Sequence, residues 1–512
     1  MPRHQTVAFI MLWVCCDGLQ ICRADEAALA KFSERVDQQM ARWQVPGVAL
    51  AAIKDGQVLL STGHGRRNLS AEGRVNQHTL FAVASNTKQM TASLLAMLVD
   101  QKRLKWDDLV STRLPDFRLF DDYASRQLTV RDLLCHRNGL PDFGGDIIWW
   151  GSTHEHNEVL RRVRYVRPIA SFRNEWHYQN TMFIAAGELA ATVTGEPWHM
   201  MMQRQLFDPI GMRRSKTSIE QLVDESNVAT PHIRMNDRVR TIAWRNLDNG
   251  APAAGVISSA HDMAKWLGFL IDGGMIDGNA RISTTSLQEM WSPQMVMRLT
   301  ARDRNLFSSK FRCYGLGWMI RDYHGLKVLF HGGWADGMYS FTAIVPERKA
   351  GVVVLTNLHN RDLSEPLGYE LLDLCLDRPA KDWCGTFWKD LEAQEQKDRE
   401  EIEKLNEAIS TARGTSPPLN TLIGTYSNDV YGEIEVIEIN QKLVLELLAS
   451  PTFIADLDYS HDDTFRATWR DPVAEWSLVT FSTTPHQAAR QVKFRMTDFI
   501  DPTEYVYQRI SP

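Results

Sequence analysis

The chain has 512 residues, of which 44% are hydrophobic and 23% charged, an ordinary globular balance with material for two or three domains and a large core. A formal net charge of -6 argues against a nucleic-acid partner. No run reaches the roughly 18 apolar residues that a membrane span needs, so no integral span is expected once a leader is removed.

The N-terminus carries that leader. Arg3 precedes an apolar stretch from Thr6 to Cys16, and a small residue follows at Ala24. A basic start, a short apolar core and a small cleavage-site residue predict a secretory signal peptide over residues 1–24, and hence a periplasmic or secreted protein. A lipid anchor at Cys22 is disfavoured, because Gln20 and Ile21 precede it where small residues belong. Cys135, Cys313, Cys375 and Cys384 would remain, without metal-ligand spacing. No metal or other cofactor is expected, and one or two disulfides stay open.

Residues 27–44 place apolar side chains at helical spacing and stop at Val45-Pro46-Gly47. The segment "GVALAAIKDGQVLLSTGHGRRN" reads as two strands joined at Asp55-Gly56. From Thr79 to about Ala260 the pattern is helical or loop, and strands return in "GLKVLFHGG", "MYSFTAIVP" and "KAGVVVLTN". This order predicts an α+β unit whose sheet is assembled from both ends of the segment, over residues 25–385. A charged helical linker is expected over 386–419, broken by "GTSPPLN". Short alternating runs from 420 to 512 predict a separate all-β, barrel-like domain.

Three short motifs carry chemistry. Ser85 and Lys88 open the apolar helical run "TASLLAMLVD"; three apart on a helix, they share a face. A serine at a helix start, with an amine to draw off its proton, suits acyl transfer. Taken alone, an N-cap serine with a solvated lysine is the better explanation of the pair. Tyr178 and Asn180 stand where a loop enters the next helical pattern, and a phenol beside an ammonium ionises more easily. A buried tyrosine and a capping asparagine are the bland alternative. Finally, an apolar strand runs into His331-Gly332-Gly333-Trp334, where glycine marks close backbone approach. His331 alone is as readily a core histidine.

Together, and in this order, Ser-x-x-Lys, Tyr-x-Asn and His-x-Gly resemble the serine β-lactamase and penicillin-binding superfamily, in its class C β-lactamase-like branch of carboxypeptidases, D-aminopeptidases and esterases. The likeness runs from Ala27 to Cys375 and includes "VPGVALAAIKDGQVL", "LTVRDLLCHRNGLPDF" and "YGLGWMI". It implies an antiparallel sheet flanked by helices with a helical lobe, and a serine hydrolase of amides, D-amino-acid peptides or esters. By position, Ser85 resembles the nucleophile, Lys88 the group that lowers the proton affinities of Ser85 and Tyr178, and Tyr178 the acylation base. Asn180 resembles a substrate-binding donor, Gly333 and Trp334 fall at substrate-binding positions of the third motif, and the amides of Ser85 and Trp334 resemble the oxyanion hole. His331 stands where class C β-lactamases carry lysine, which weakens carboxylate anchoring and turns the expectation toward an esterase or peptidase. Trp149 and Trp150 fall where the family builds one cleft wall; they serve as an apolar shelf or as core of the helical lobe. The tail resembles the lipocalin-like barrel of some D-aminopeptidases. A catalytically weak protein that binds cell-wall or peptide ligands is the alternative. Either way the partner is a small molecule or short peptide, and the oligomeric state is not legible.

Overall fold

The computed structural model describes residues 17–411, 416–474, 476–484, 487–496 and 500–511; residues 1–16, most of the expected signal segment, lie outside the described residues. Helix α1 (Asp17–Trp43) leads into the hairpin of β1 (Gly47–Lys54) and β2 (Gln57–Gly65). Its turn is Asp55-Gly56, with φ of 51° and 75°. Both residues lie in the left-handed region, as a two-residue turn matched to strand twist requires.

A helical lobe follows, containing α2 (Thr87–Asp100), α3 (Asn180–Thr194) and α4 (Ala260–Ile271). Among the described residues three short two-stranded ribbons accompany it, His232–Met235 with Arg238–Thr241, Phe81–Ala82 with Ile257–Ser258, and Met275–Ile276 with Asn279–Ala280. The chain then returns to the sheet through β3 (Met295–Val296), β4 (Arg312–Tyr314), β5 (Met319–Tyr323), β6 (Leu326–Ala335), β7 (Met338–Val345) and β8 (Ala350–Thr356), and closes the unit with α5 (Ser364–Cys375). The eight strands are ordered β2-β1-β8-β7-β6-β5-β4-β3. Because β1 pairs antiparallel with β8, Leu50 opposite Val354, the two ends of the segment meet as the second and third strands of the sheet.

Both faces of that sheet are covered, which explains why its central strands read as nearly continuous apolar runs. In β1, Val48, Leu50 and Ala52 point to α1 and α5, among Phe32, Val36, Leu367 and Leu371. The alternate residues Ala49, Ala51 and Ile53 join the core formed with Met263 and Leu267 of α4. Cys135, Cys313 and Cys384 are buried free thiols.

After α6 (Trp383–Thr411) the tail forms β9 (Gly424–Asn428), β10 (Gly432–Ile439), β11 (Lys442–Leu447), β12 (Ile454–His461), β13 (Thr464–Trp469), β14 (Trp476–Thr484), β15 (Gln487–Arg495) and β16 (Glu504–Ser511). These eight strands close into an antiparallel barrel, with β9 paired to β16, so no edge is left unpaired. Alternation fills it: Val492 and Phe494 point inward while Lys493 and Arg495 face out.

The barrel sits on the helical lobe. Thr153 N–H donates to Ala449 O at 2.7 Å, and Arg162 donates to the carbonyls of Asp429 and Val430 at 3.1 and 3.2 Å. Arg245 clamps the two units, bonding Asp336 after β6 at 2.5 Å and Asp471 of the barrel at 2.6 Å. The guanidinium is 9% exposed and each carboxylate 3%, so removing the cation strands two buried anions. Arg245→Ala is therefore expected to cost about 3–5 kcal/mol, seen as a lower urea midpoint, with Asp471→Asn milder because Asp336 keeps its partner. An unchanged midpoint in Arg245→Ala would contradict this account.

Candidate active site

Ser85 sits in a 3-10 turn (Ala84–Asn86) immediately before α2. Two pairs with the same spacing divide the work of this helix start. Ser85 and Lys88 face a cleft, while Asn86 and Gln89 face the sheet. Asn86 Nδ2 donates to Ser340 Oγ at 2.8 Å and its Oδ1 accepts from Thr342 Oγ1 at 2.6 Å. Gln89 Nε2 donates to the same Thr342 hydroxyl at 2.9 Å. These buried bonds fix the turn against β7, and Ala84 is held at a φ of 46°, a conformation that L residues adopt only when their surroundings impose it. Ser85 is not the N-cap of α2; that position is Asn86, and its side chain makes no capping bond.

Lys88 is completely buried. Its Nζ lies 2.6 Å from Asn180 Oδ1, 2.9 Å from Ala253 O and 3.1 Å from Ser85 Oγ. Burial pulls its pKa down to about 7, with the carboxyl of Asp146 pulling the other way. The partners matter as much as the shift. Two of the three are carbonyl oxygens, which only accept. A neutral amine gives them its two hydrogens and leaves its lone pair toward the Ser85 hydroxyl.

Tyr178 is held by the 136–146 loop: Asp142 Oδ1 accepts from its N–H at 2.5 Å, and Phe143 N–H donates to its carbonyl at 2.8 Å. The expectation that a neighbouring ammonium eases phenol ionisation meets the opposite result. Lys88 Nζ stands over the ring face, 4.9 Å from its centroid, and burial dominates, raising the Tyr178 pKa despite a hydrogen bond with Ser85. In the free protein the phenol is therefore a proton donor.

Asn180 is the first residue of α3, one place inside its N-cap Gln179, and its amide is engaged at both ends. It accepts from Lys88 and donates through Nδ2 to Asp146 Oδ2 at 2.5 Å. The expected donor to substrate is thus directed at a buried carboxyl. Asp146, which sequence reasoning missed, also accepts from Trp149 Nε1 at 2.9 Å, and burial pushes its pKa up to about 8.

On the opposite wall, His331 is buried in β6. Its Nδ1 lies 2.6 Å from Gly332 O, which only accepts, so Nδ1 carries the proton and Nε2 accepts from Tyr314 Oη at 3.0 Å. Burial and the nearby Lys88 push the ring down to about 3, so the position supplies no cation at neutral pH. Gly333 allows close approach: a β-carbon there would stand 2.3 Å from Val83 O, 2.3 Å from Ser340 Oγ and 3.1 Å from Ser85 N. Only glycine lets β6 lie this close to the Ser85 turn. Trp334 is half-buried and stacks on Trp150, with centroids 4.9 Å apart and planes 3° from parallel. Trp149 and Trp150 are thus both core and cleft wall.

Ser85, Tyr178, Asn180, His331, Gly333 and Trp334 line one cleft of about 600 Å³, with Lys88 directly beneath Ser85. Aromatic side chains dominate the lining, and among the described lining residues there is no arginine or lysine, whereas Asp142, Asp146 and Asp362 are present.

Comparison with known proteins agrees with this geometry. The Beta-lactamase family model matches residues 32–374, most of the chain, and the protein belongs to that family. A second model, a domain of unknown function (DUF3471), matches residues 410–508. Among curated relatives, the unguisins hydrolase ungD' of Aspergillus campestris is 28% identical over 78% of this chain and 75% of its own length. Penicillin-binding protein 4 of Amycolatopsis lactamdurans is 26% identical over 64% of this chain and 85% of its own. The octameric penicillin-binding protein homologue from Pyrococcus abyssi superposes with a TM-score of 0.61 over 94% of this chain and all (100%) of its own, at 20% identity, a likeness of fold.

The lowered Lys88 pKa carries a sign. The neutral amine grows as pH rises through about 7, so acylation of Ser85 by an uncharged serine-reactive probe should increase about tenfold between roughly pH 6 and 8 and then level off. A rate still climbing in proportion to hydroxide above about pH 9 would mean that Lys88 keeps an ordinary amine pKa.

Proposed function

We propose that the protein is a serine hydrolase that works through an acyl-enzyme on a small amide, D-amino-acid peptide or ester. The observation that carries this reading is the buried Lys88 Nζ, held by Asn180 Oδ1 and Ala253 O with Ser85 Oγ 3.1 Å away. Lys88 takes the Ser85 proton as Oγ adds to the substrate carbonyl. The resulting oxyanion is received by the amides of Ser85 and Trp334. Collapse breaks the bond to the leaving group, which departs with the proton that Lys88 took from Ser85 Oγ. Water then repeats the sequence on the acyl-enzyme, releasing the acid and returning a proton to Ser85 Oγ.

The walls narrow the substrate. Neutral His331 and a lining without arginine leave a substrate carboxylate no counter-charge, while Trp150, Trp176 and Trp334 offer apolar area. This favours an acyl portion that is apolar or aromatic and not anionic. The relatives named as unguisins hydrolases support hydrolysis as the activity.

Two measurements test the reading. Ser85→Ala should lose covalent labelling by a fluorophosphonate while keeping its melting temperature, since one hydroxyl at the cleft contributes little to stability. In a parallel screen, p-nitrophenyl butyrate and D-Ala-p-nitroanilide should be turned over faster than nitrocefin or an acyl-D-Ala-D-Ala peptide, both of which carry carboxylates. Wild-type protein that binds these compounds but forms no acyl-enzyme would replace the hydrolase with a ligand-binding protein.

A further inference from the structure

The barrel reaches the cleft through a buried carboxylate outside all three motifs. Asp501, in the connection between β15 and β16, is fully buried. Its Oδ2 accepts from Gly145 N–H at 2.6 Å and from the hydroxyl of Tyr431, and its Oδ1 accepts from Thr503 N–H at 3.0 Å. Gly145 is the residue before Asp146, so the barrel holds the backbone from which the Asp146 carboxyl is hung. From Asp146 the path continues through Asn180 Nδ2, across that amide, and from Asn180 Oδ1 to Lys88 Nζ. Every bond in this chain is inside the protein, where an anion is felt far more strongly than at a surface.

We propose that Asp501 of the barrel and Asp146 of the cleft act together as positioning residues that set the charge state of Lys88, making the C-terminal barrel a working component of the acylation machinery. This rests on the reading of Ser85 and Lys88 given above.

The electrostatics fix the direction of each influence. Asp501 raises the pKa of Asp146, because two buried anions oppose each other, and an ionised Asp146 in turn favours the Lys88 ammonium. Asp501 thereby keeps Asp146 from ionising fully and leaves the amine free. The other groups facing Lys88 are Tyr178 from the loop before α3, His136 from the 136–146 loop and His331 from β6. The phenol is held protonated and both imidazoles neutral by burial. Asp501 faces Tyr431, Tyr505 and Tyr507 on the barrel side, all phenols raised by burial. Among the described residues, Asp146 beside the amine and Asp501 behind it are carboxyls that burial raises to about 8 and about 6, so the charge of each changes near neutral pH.

The test follows the pH dependence of Ser85 acylation by a fluorophosphonate in the full-length protein. Asp501→Asn keeps an acceptor oxygen for Gly145 but removes the charge; Asp146 ionises more readily, Lys88 holds its proton longer, and the acid limb should move up by about half a pH unit or more. Asp146→Asn removes the anion beside the amine, and the limb should move down. A role confined to holding the loop in place lowers the rate in both variants without moving the limbs apart. Limbs that stay put, or that move the same way, overturn the proposal. If Asp501→Asn does not fold, Tyr431→Phe replaces it: losing one donor makes the Asp501 anion less favoured, so its limb should move up by a smaller step, and an unmoved limb there also overturns the proposal. Wild-type protein that the probe never labels would instead count against the hydrolase reading itself.

Discussion

The interaction on which the rest of the site depends is the desolvation of a single amine. A lysine taken wholly out of water loses the solvation that keeps its ammonium stable, and the loss is tolerable only where the neutral form also finds partners. Lys88 finds two carbonyl oxygens and one hydroxyl, and the hydroxyl can accept from the ammonium or donate to the neutral amine, so both charge states find partners. A third carbonyl in place of Ser85 Oγ would have favoured the ammonium. The geometry of the cleft follows from keeping water away from this nitrogen: aromatic walls, a glycine where the strand must come close, and a helix start tied down from its far side.

That tie is the less visible half of the design. Asn86 and Gln89 repeat the three-residue spacing of Ser85 and Lys88, rotated onto the neighbouring face, and bond the hydroxyls of Ser340 and Thr342. The short segment from 85 to 89 therefore has no side chain free to choose its environment. Its neighbour Ala84 takes the backbone strain, and the network that imposes it is made of hydrogen bonds inside the core, where their geometry is hardest to relax.

Much of this is legible in the amino-acid order alone. The Ser85–Lys88 pair, the Asp55-Gly56 turn and the two-ended sheet each rest on a local rule: helical spacing, left-handed turn residues, strand periodicity. The barrel strands are readable by alternation, but the closure of β9 onto β16 is not, because a periodic pattern names a strand's faces and not its neighbours. Asp146 sits among apolar residues in "GGDIIWW", and nothing in that run connects it to a lysine; the connection is made through an asparagine supplied by another element. Asp501 is further still from view, 356 positions from the glycine whose amide it accepts. The pKa of Tyr178 runs against its motif for a related reason. Proximity to an amine is readable in a motif, but whether that amine meets the hydroxyl or the ring face is not.

The stack of Trp150 on Trp334 joins pieces of different origin, one indole from the helical lobe and the other from the strand that borders Ser85. The planes are nearly parallel, and Trp334 is further pinned by its indole N–H on His359 Nδ1 at 3.1 Å. Parting lobe from sheet at this point would give up the overlap of two flat aromatic surfaces, about 0.5–1.5 kcal/mol beyond the area they bury. The two indoles thus make one wall of the cleft out of both lobe and sheet, so a change at either is felt at the other.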